Sequence, residues 1–190
     1  EGPPQQYEYI LVSFLLVLVG VIDDKLDISA VSRLVVIATL SVWLVEIEGI
    51  SLNYLGDIFG VGSVYLSSWS LLFTSFAVIG CITAFNMIDG IDGLAAGMSL
   101  ISLTGLLILF GVQGADYYAL ICLLLMVSLL PFLMVNLQIL PIPKVFLGDA
   151  GSTLLGLTLV WLVITGSQNT PNSVTPVAAL WLMALPLMVR

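Results

Sequence analysis

The 190-residue sequence contains no histidine, so no imidazole is present to act as base, acid or metal ligand. Its two cysteines, Cys81 and Cys122, each lie inside an apolar run and read as small core residues, not as a disulfide or a metal pair. Only four residues are basic against twelve acidic, for a formal net charge of −8. With no basic patch to neutralise phosphates, nucleic acid is excluded as a partner. Charge of either sign is scarce: 8% of residues are charged and 60% are hydrophobic, where a soluble domain carries about 25% charged residues. An ordinary soluble domain is therefore excluded. No repeat, low-complexity tract or signal peptide is visible.

What is present is a series of apolar segments over residues 9–22, 30–45, 69–85, 94–112, 117–140, 153–164 and 176–189. They predict an all-α polytopic membrane protein, a bundle of about seven transmembrane segments. The first, 14 residues long, falls short of the roughly 20 that a full span takes, so a short or partly inserted helix is expected there. Asp23 to Ser29 reads as a charged loop. The Gly-containing connection 46–68 places Tyr54, Tyr65 and Trp69 at headgroup level, with a small β-hairpin between 52–58 and 64–66. Pro131 is expected to kink the fifth segment, and Gly93, Gly97 and Gly105 to let helices approach closely. The chain opens at Glu1 without methionine and closes at Arg190 inside an apolar run. That reads as one transmembrane domain truncated at both ends.

If each segment crosses once, the connections alternate between two sides. One side receives 23–29, 86–93, 141–152 and Arg190, and with them all four basic residues, Lys25, Arg33, Lys144 and Arg190. The positive-inside rule makes that side cytoplasmic. The same alternation gathers Asp23, Asp24, Asp27, Asp89, Asp92 and Asp149 there, from three stretches far apart in sequence. Each Asp at the centre of a spanning helix would cost about 2.5–3.5 kcal/mol, so these acids must face water, a cation or one another. Clustered carboxylates repel unless one is protonated or a cation lies between them. An oxygen-only donor set of Asp and Asn favours Mg²⁺ or Mn²⁺ over zinc. Mg²⁺ commonly takes one or two carboxylates, keeps waters and fills its shell from substrate phosphates, so a phosphate-bearing substrate at the membrane surface is expected.

Spacing supports part of this reading. Asp23 and Asp27 are four apart and share a helix face, with Asp24 turned away by about 100°. Asn86, Asp89 and Asp92 recur every third residue, and Gly90 and Gly93 argue that a helix breaks among them. Gly148, Gly151 and a helix starting near Ser152 would offer backbone N–H groups to a phosphate. Each stretch has a plainer reading when taken alone. Asp23-Asp24 could be a solvated helix end, the Asp-Gly pairs turns, and Asp149 a helix cap. Lys25, Arg33 and Lys144 are most simply topology determinants, and Asn136 a helix-end residue. The functional reading draws its weight from all three acidic stretches falling on one side.

Asp23-Asp24, the stretch Asn86-Met87-Ile88-Asp89-Gly90-Ile91-Asp92-Gly93-Leu94 and the stretch Lys144-Val145-Phe146-Leu147-Gly148-Asp149-Ala150-Gly151-Ser152 resemble the three cytoplasmic motifs of the polyprenyl-phosphate N-acetylhexosamine-1-phosphate transferases. The match holds in order and approximate separation over most of the chain. The third stretch, continued by Thr153-Leu154-Leu155-Gly156, is most similar to the bacterial N-acetylglucosamine branch, with the muramoyl-pentapeptide branch second. The resemblance implies a Mg²⁺- or Mn²⁺-dependent phosphotransferase of the bacterial inner membrane with a cytoplasmic active site. In it, undecaprenyl phosphate attacks the β-phosphorus of UDP-N-acetylglucosamine, UMP leaves and a lipid-linked diphosphate sugar forms, initiating a cell-envelope polysaccharide such as lipopolysaccharide. It further implies Asn86 and Asp149 as metal ligands and Asp92 as a catalytic acid that also recognises uracil. Asp23 and Asp24 would lie at the lipid phosphate, one accepting its proton, with Asp89 a further catalytic acid. Asn136 and Lys144 would support substrate binding beside Gly148 and Ser152. Self-association into a homodimer is left open. The family's His-rich loop and upstream helices have no counterpart here and are expected to lie outside this sequence.

Two other classes fit the sequence less well. An intramembrane aspartyl protease is suggested faintly by Leu147-Gly148-Asp149 and Ala184-Leu185-Pro186, yet Phe146 and Met183 stand where Gly and Pro belong. An ion-coupled transporter would be expected to carry its acids within the spans, whereas these lie at the span ends.

Overall fold

The computed structural model describes residues 7–26, 28–57 and 62–168. Among the described residues six long helices carry the fold: α1 (Tyr7–Leu26), α2 (Ala30–Glu48), α3 (Ser70–Ile88), α4 (Leu94–Gln113), α5 (Asp116–Asn136) and α6 (Gly148–Gln168). Five stretches, all but α1, are long and apolar enough to cross a membrane. α1 has the length for it, 20 residues or about 30 Å, but carries Glu8, Asp23, Asp24 and Lys25 near its ends. The protein is thus an all-α polytopic membrane protein. The segment expected over 176–189 lies outside the described residues, as do Asp27 and Arg190.

Local chemistry sets the helix ends. Ser29 caps α2, its Oγ accepting the Ser32 N–H at 3.2 Å, and Gly49 closes that helix with a left-handed φ of 63°. α5 runs through Pro131 and ends with Gln138 in the left-handed region (φ 56°). There the Gln138 N–H meets the Val135 carbonyl and the Ile139 N–H meets that of Met134, both at 3.0 Å. Two expected loops turn out shorter than drawn. Asp23, Asp24 and Lys25 belong to the last turn and a half of α1, and Asp149 to the first turn of α6. Charged residues at a span end do not stop a helix once their side chains reach water or a partner.

α6 is the central element, buried along nearly all its length against α1, α3 and α4. α2 packs on α1 and α3, while α5 packs chiefly on α4. Without a hydrophobic gain between apolar helices in lipid, close van der Waals approach holds such a bundle. The approaches occur where small residues meet neighbouring backbone. A Cβ on Gly20 of α1 would lie 2.4 Å from the Ala150 Cα, and one on Gly156 of α6 would lie 2.8 Å from the Ile82 Cα of α3. Gly97, expected to serve this way, has nothing within 4 Å of an added Cβ. Cys81 and Cys122 are buried thiols, as expected.

At the end of the bundle opposite the acids, the connection between α2 and α3 forms the expected hairpin, β1 (Tyr54–Gly56) antiparallel to β2 (Val64–Tyr65). Tyr54 and Tyr65 pair across it with ring centroids 5.2 Å apart, and Tyr65 and Trp69 are exposed. The Gln168 amide, at the last residue of α6, clamps this connection. It accepts from the Asn53 and Tyr54 N–H groups at 3.3 and 3.2 Å and donates to the Tyr54 carbonyl at 2.9 Å.

Candidate active site

The N-terminus of α6 is the meeting point. α1 brings Asp23 and Asp24 to it, α2 brings Arg33, α3 brings Asn86, and the turn between α3 and α4 brings Asp89. The turn is sharp because Gly93 takes a φ of 70°, and it abuts the end of α5, where Leu137 would touch a Cβ at that position.

Asp149 is at the centre of the hydrogen bonding. Its Oδ1 accepts from Asn86 Nδ2 at 2.6 Å, and its Oδ2 accepts from Arg33 Nη1 at 3.0 Å. Its backbone N–H donates to Asp24 Oδ1 at 3.0 Å. The preceding N–H, of Gly148, lies where it favours the charged form of the Asp89 carboxylate. The free N–H groups and positive dipole end of α6, read from sequence as a seat for a ligand's phosphate, thus face carboxylates of the chain itself, with Asp24 hydrogen-bonded there. Ser152, one turn on, is buried and accepts from Asn86 Nδ2 at 3.2 Å, which fixes the amide beside Asp149.

The adjacent acids Asp23 and Asp24 are in different situations. Asp23 is buried, with Oδ1 accepting the Ile28 N–H at 2.9 Å and Oδ2 accepting Arg33 Nη1 at 2.8 Å. Asp24 is exposed, and its Oδ2 lies against Gly148. Asp92 stands apart from this group and pairs with Lys144, whose ammonium also lies 5.0 Å from the centre of the exposed Phe146 ring. Asn136 is buried; its Nδ2 holds the Val145 carbonyl at 2.8 Å, and its Oδ1 has no partner among the described residues.

Asp23, Asp24, Asp89 and Asp149 gather at this end, where Arg33 pairs with Asp23 and Asp149, so acid outweighs base. Burial, then the Asp149 and Asp24 charges, push the Asp89 carboxyl up to about 6, against the pull of the Gly148 N–H. Such a cluster gains from a cation. Among the described residues no three His, Cys, Asp or Glu side chains are placed to hold an ion by themselves. The donors that fit are fewer: the Asp149 carboxylate, the Asn86 Oδ1 left over once its Nδ2 is engaged, and the neighbouring Asp24 and Asp89. One or two carboxylates with an amide oxygen, the rest from water or phosphate, is the set that a hard divalent ion takes.

A protease reading does not fit this geometry. It needs two facing carboxylates open to a water and a peptide bond, whereas Asp23, which faces Asp149, is bridged to it by Arg33 and is buried with both of its oxygens occupied.

Stretches expected to meet from their sequence do meet at Asp149, and two side chains beside them carry contacts that were not expected. Arg33 had been read as a topology determinant, though a charge ten residues after Asp23 inside an apolar run was a signal. Phe146 had been left without a role, though a large aromatic at a polar loop next to Lys144 could have marked it.

Residues 7–167 match glycosyl transferase family 4. The chain belongs to glycosyl transferase family 4. It is 42% identical over 181 residues to the undecaprenyl-phosphate alpha-N-acetylglucosaminyl 1-phosphate transferase of Salmonella typhi, covering 95% of this chain and 49% of that protein. It is 38% identical over 186 residues to the protein of the same name from Escherichia coli K12, covering 97% and 51%. For the one from Haemophilus influenzae the figures are 42% over 183 residues, covering 95% and 52%. The chain spans about half the length of the curated relatives it matches.

Proposed function

We propose that the protein transfers N-acetylglucosamine-1-phosphate from UDP-N-acetylglucosamine to undecaprenyl phosphate, on the cytoplasmic side of a bacterial inner membrane. The observation that carries this is the convergence on Asp149 of Asp24, Arg33 and Asn86, from three other helices, at one polar end of an apolar bundle. An acid-rich bundle end suits a diphosphate donor brought in with a divalent ion, and an acceptor whose tail stays in lipid. The names of the relatives support the acceptor and the sugar.

In the step proposed, an oxygen of the lipid phosphate bonds to the β-phosphorus. The bond from that phosphorus to the bridging oxygen breaks, and UMP leaves with the electron pair. One phosphoanhydride replaces another, so the step is close to balanced and reversible. A bound Mg²⁺ or Mn²⁺ would supply neutralisation of the diphosphate charge. Asn86 and Asp149 would hold it, with Asp89 adding negative charge on one flank. Asp24, exposed where Asp23 is not, would face the lipid phosphate and take any proton it sheds. Asp92 and Lys144, beside the open Phe146 ring, would meet the uridine end, and Asn136 would set the loop they border.

Exchange of labelled UMP into UDP-N-acetylglucosamine tests the reading. Label should enter only when both lipid phosphate and a divalent ion are supplied. Exchange that needs neither would reject it.

A further inference from the structure

We propose that Arg33 is a positioning residue for Asp149 and that Asp23 is its anchor. This rests on the reading of Asp149 as a metal ligand. Arg33 comes from α2, which contributes no acid to the site. One nitrogen, Nη1, lies 2.8 Å from Asp23 Oδ2 and 3.0 Å from Asp149 Oδ2. The Asp23 side chain is 3% exposed and its other oxygen takes the Ile28 N–H. A carboxylate so enclosed has no oxygen to offer a ligand; what it does is fix the guanidinium. Together they form a neutral pair whose outward contact is Asp149. Asp149 is then gripped on both oxygens, by α2 through Arg33 and by α3 through Asn86, which fixes its carboxylate plane while each oxygen keeps a second lone pair. A residue that only set topology would need its charge at this end, which Lys25 already supplies, and not these two bonds.

The test reads Mn²⁺ binding by electron paramagnetic resonance on the protein in nanodiscs, without nucleotide or lipid phosphate. The variant Asp23→Asn/Arg33→Gln removes one charge of each sign, so the charge around the site is unchanged and no buried ion loses its partner. Its Mn²⁺ affinity should fall about 10–100-fold, as it does when the supports of a metal ligand are removed. In an Asp149→Asn background the same pair of substitutions should change nothing further. Arg33→Lys, whose Nζ can donate to both carboxylates, should bind Mn²⁺ within about threefold of the wild type, since its three donors keep both bonds. Wild-type affinity in the folded double variant would overturn the proposal, as would a further loss in the Asp149→Asn background. If that variant does not fold, Asp23→Leu/Arg33→Met replaces the pair by apolar side chains and is read against the same two outcomes. Because no substrate is present, a failure of UMP exchange with this coupling intact would fault the reaction assigned and not the role of Arg33.

Discussion

Asp149 is the residue on which the site turns, and its replacement separates chemistry from folding. In Asp149→Asn, Arg33 keeps Asp23 as its partner, so no charge is left buried and alone. The melting temperature should stay near wild type while UMP exchange falls about 10–100-fold or more; near-normal exchange would remove Asp149 from the metal. Asp89 gives the pH dependence. An acid raised to about 6 is neutral below that value and charged above it. If the charged form is the active one, exchange should drop by about tenfold per unit as pH falls below 6. The limb should move to lower pH as divalent ion is raised, because a nearby cation favours the carboxylate. A pH–rate profile in which Asp89→Asn keeps the wild-type limb would assign it to another group. The identities of these acids were legible in the sequence, because charge is rare there and its placement is costly. Their division of labour was not. Helix periodicity already turned Asp24 about 100° from Asp23, but which of the two is buried depends on Arg33 and the Ile28 N–H, which spacing does not show.

The elements were read correctly as helices, because 60% hydrophobic content and runs near 20 residues leave few alternatives. Their ends were read less well. Asp23, Asp24 and Asp149 were placed in loops because they are charged, yet they continue helices whose ends reach partners. Which glycines matter was also illegible, since the same residue type marks a contact at Gly20 and open space at Gly97. Gly20→Ala puts a methyl against Ala150 backbone, one turn from Asp24 and beside Asp149. Overpacking of this kind costs about 1–3 kcal/mol, and here it would also pull Asp24 from the Asp149 N–H. Thermal melts and UMP exchange should therefore both fall. Gly97→Ala should be neutral, or stabilising by up to about 1 kcal/mol. If both variants behave alike, the α1–α6 contact does not set the site.

At the scale of the whole molecule, the two ends of the bundle do different work. α6 runs about 30 Å from Asp149 to Gln168, linking the acidic end to the clamped hairpin. Gln168→Ala removes three hydrogen bonds to residues 53 and 54 and should cost about 1–3 kcal/mol of stability. The exchange rate per folded protein should not change; a fall in rate with no fall in melting temperature would show that the hairpin end reaches the chemistry. Alternation of connections alone indicated that distant acids share one side, and the fold brings Asp24, Asn86 and Asp149 into direct hydrogen bonding there. The most direct measurement is a diffraction experiment on crystals soaked in Mn²⁺, using its anomalous signal. A peak at the first turn of α6, in contact with the Asp149 carboxylate and the Asn86 amide oxygen, is the predicted result. A single strong peak elsewhere on the molecule, with Asp149 still bonded only to Arg33 and Asn86, would contradict it.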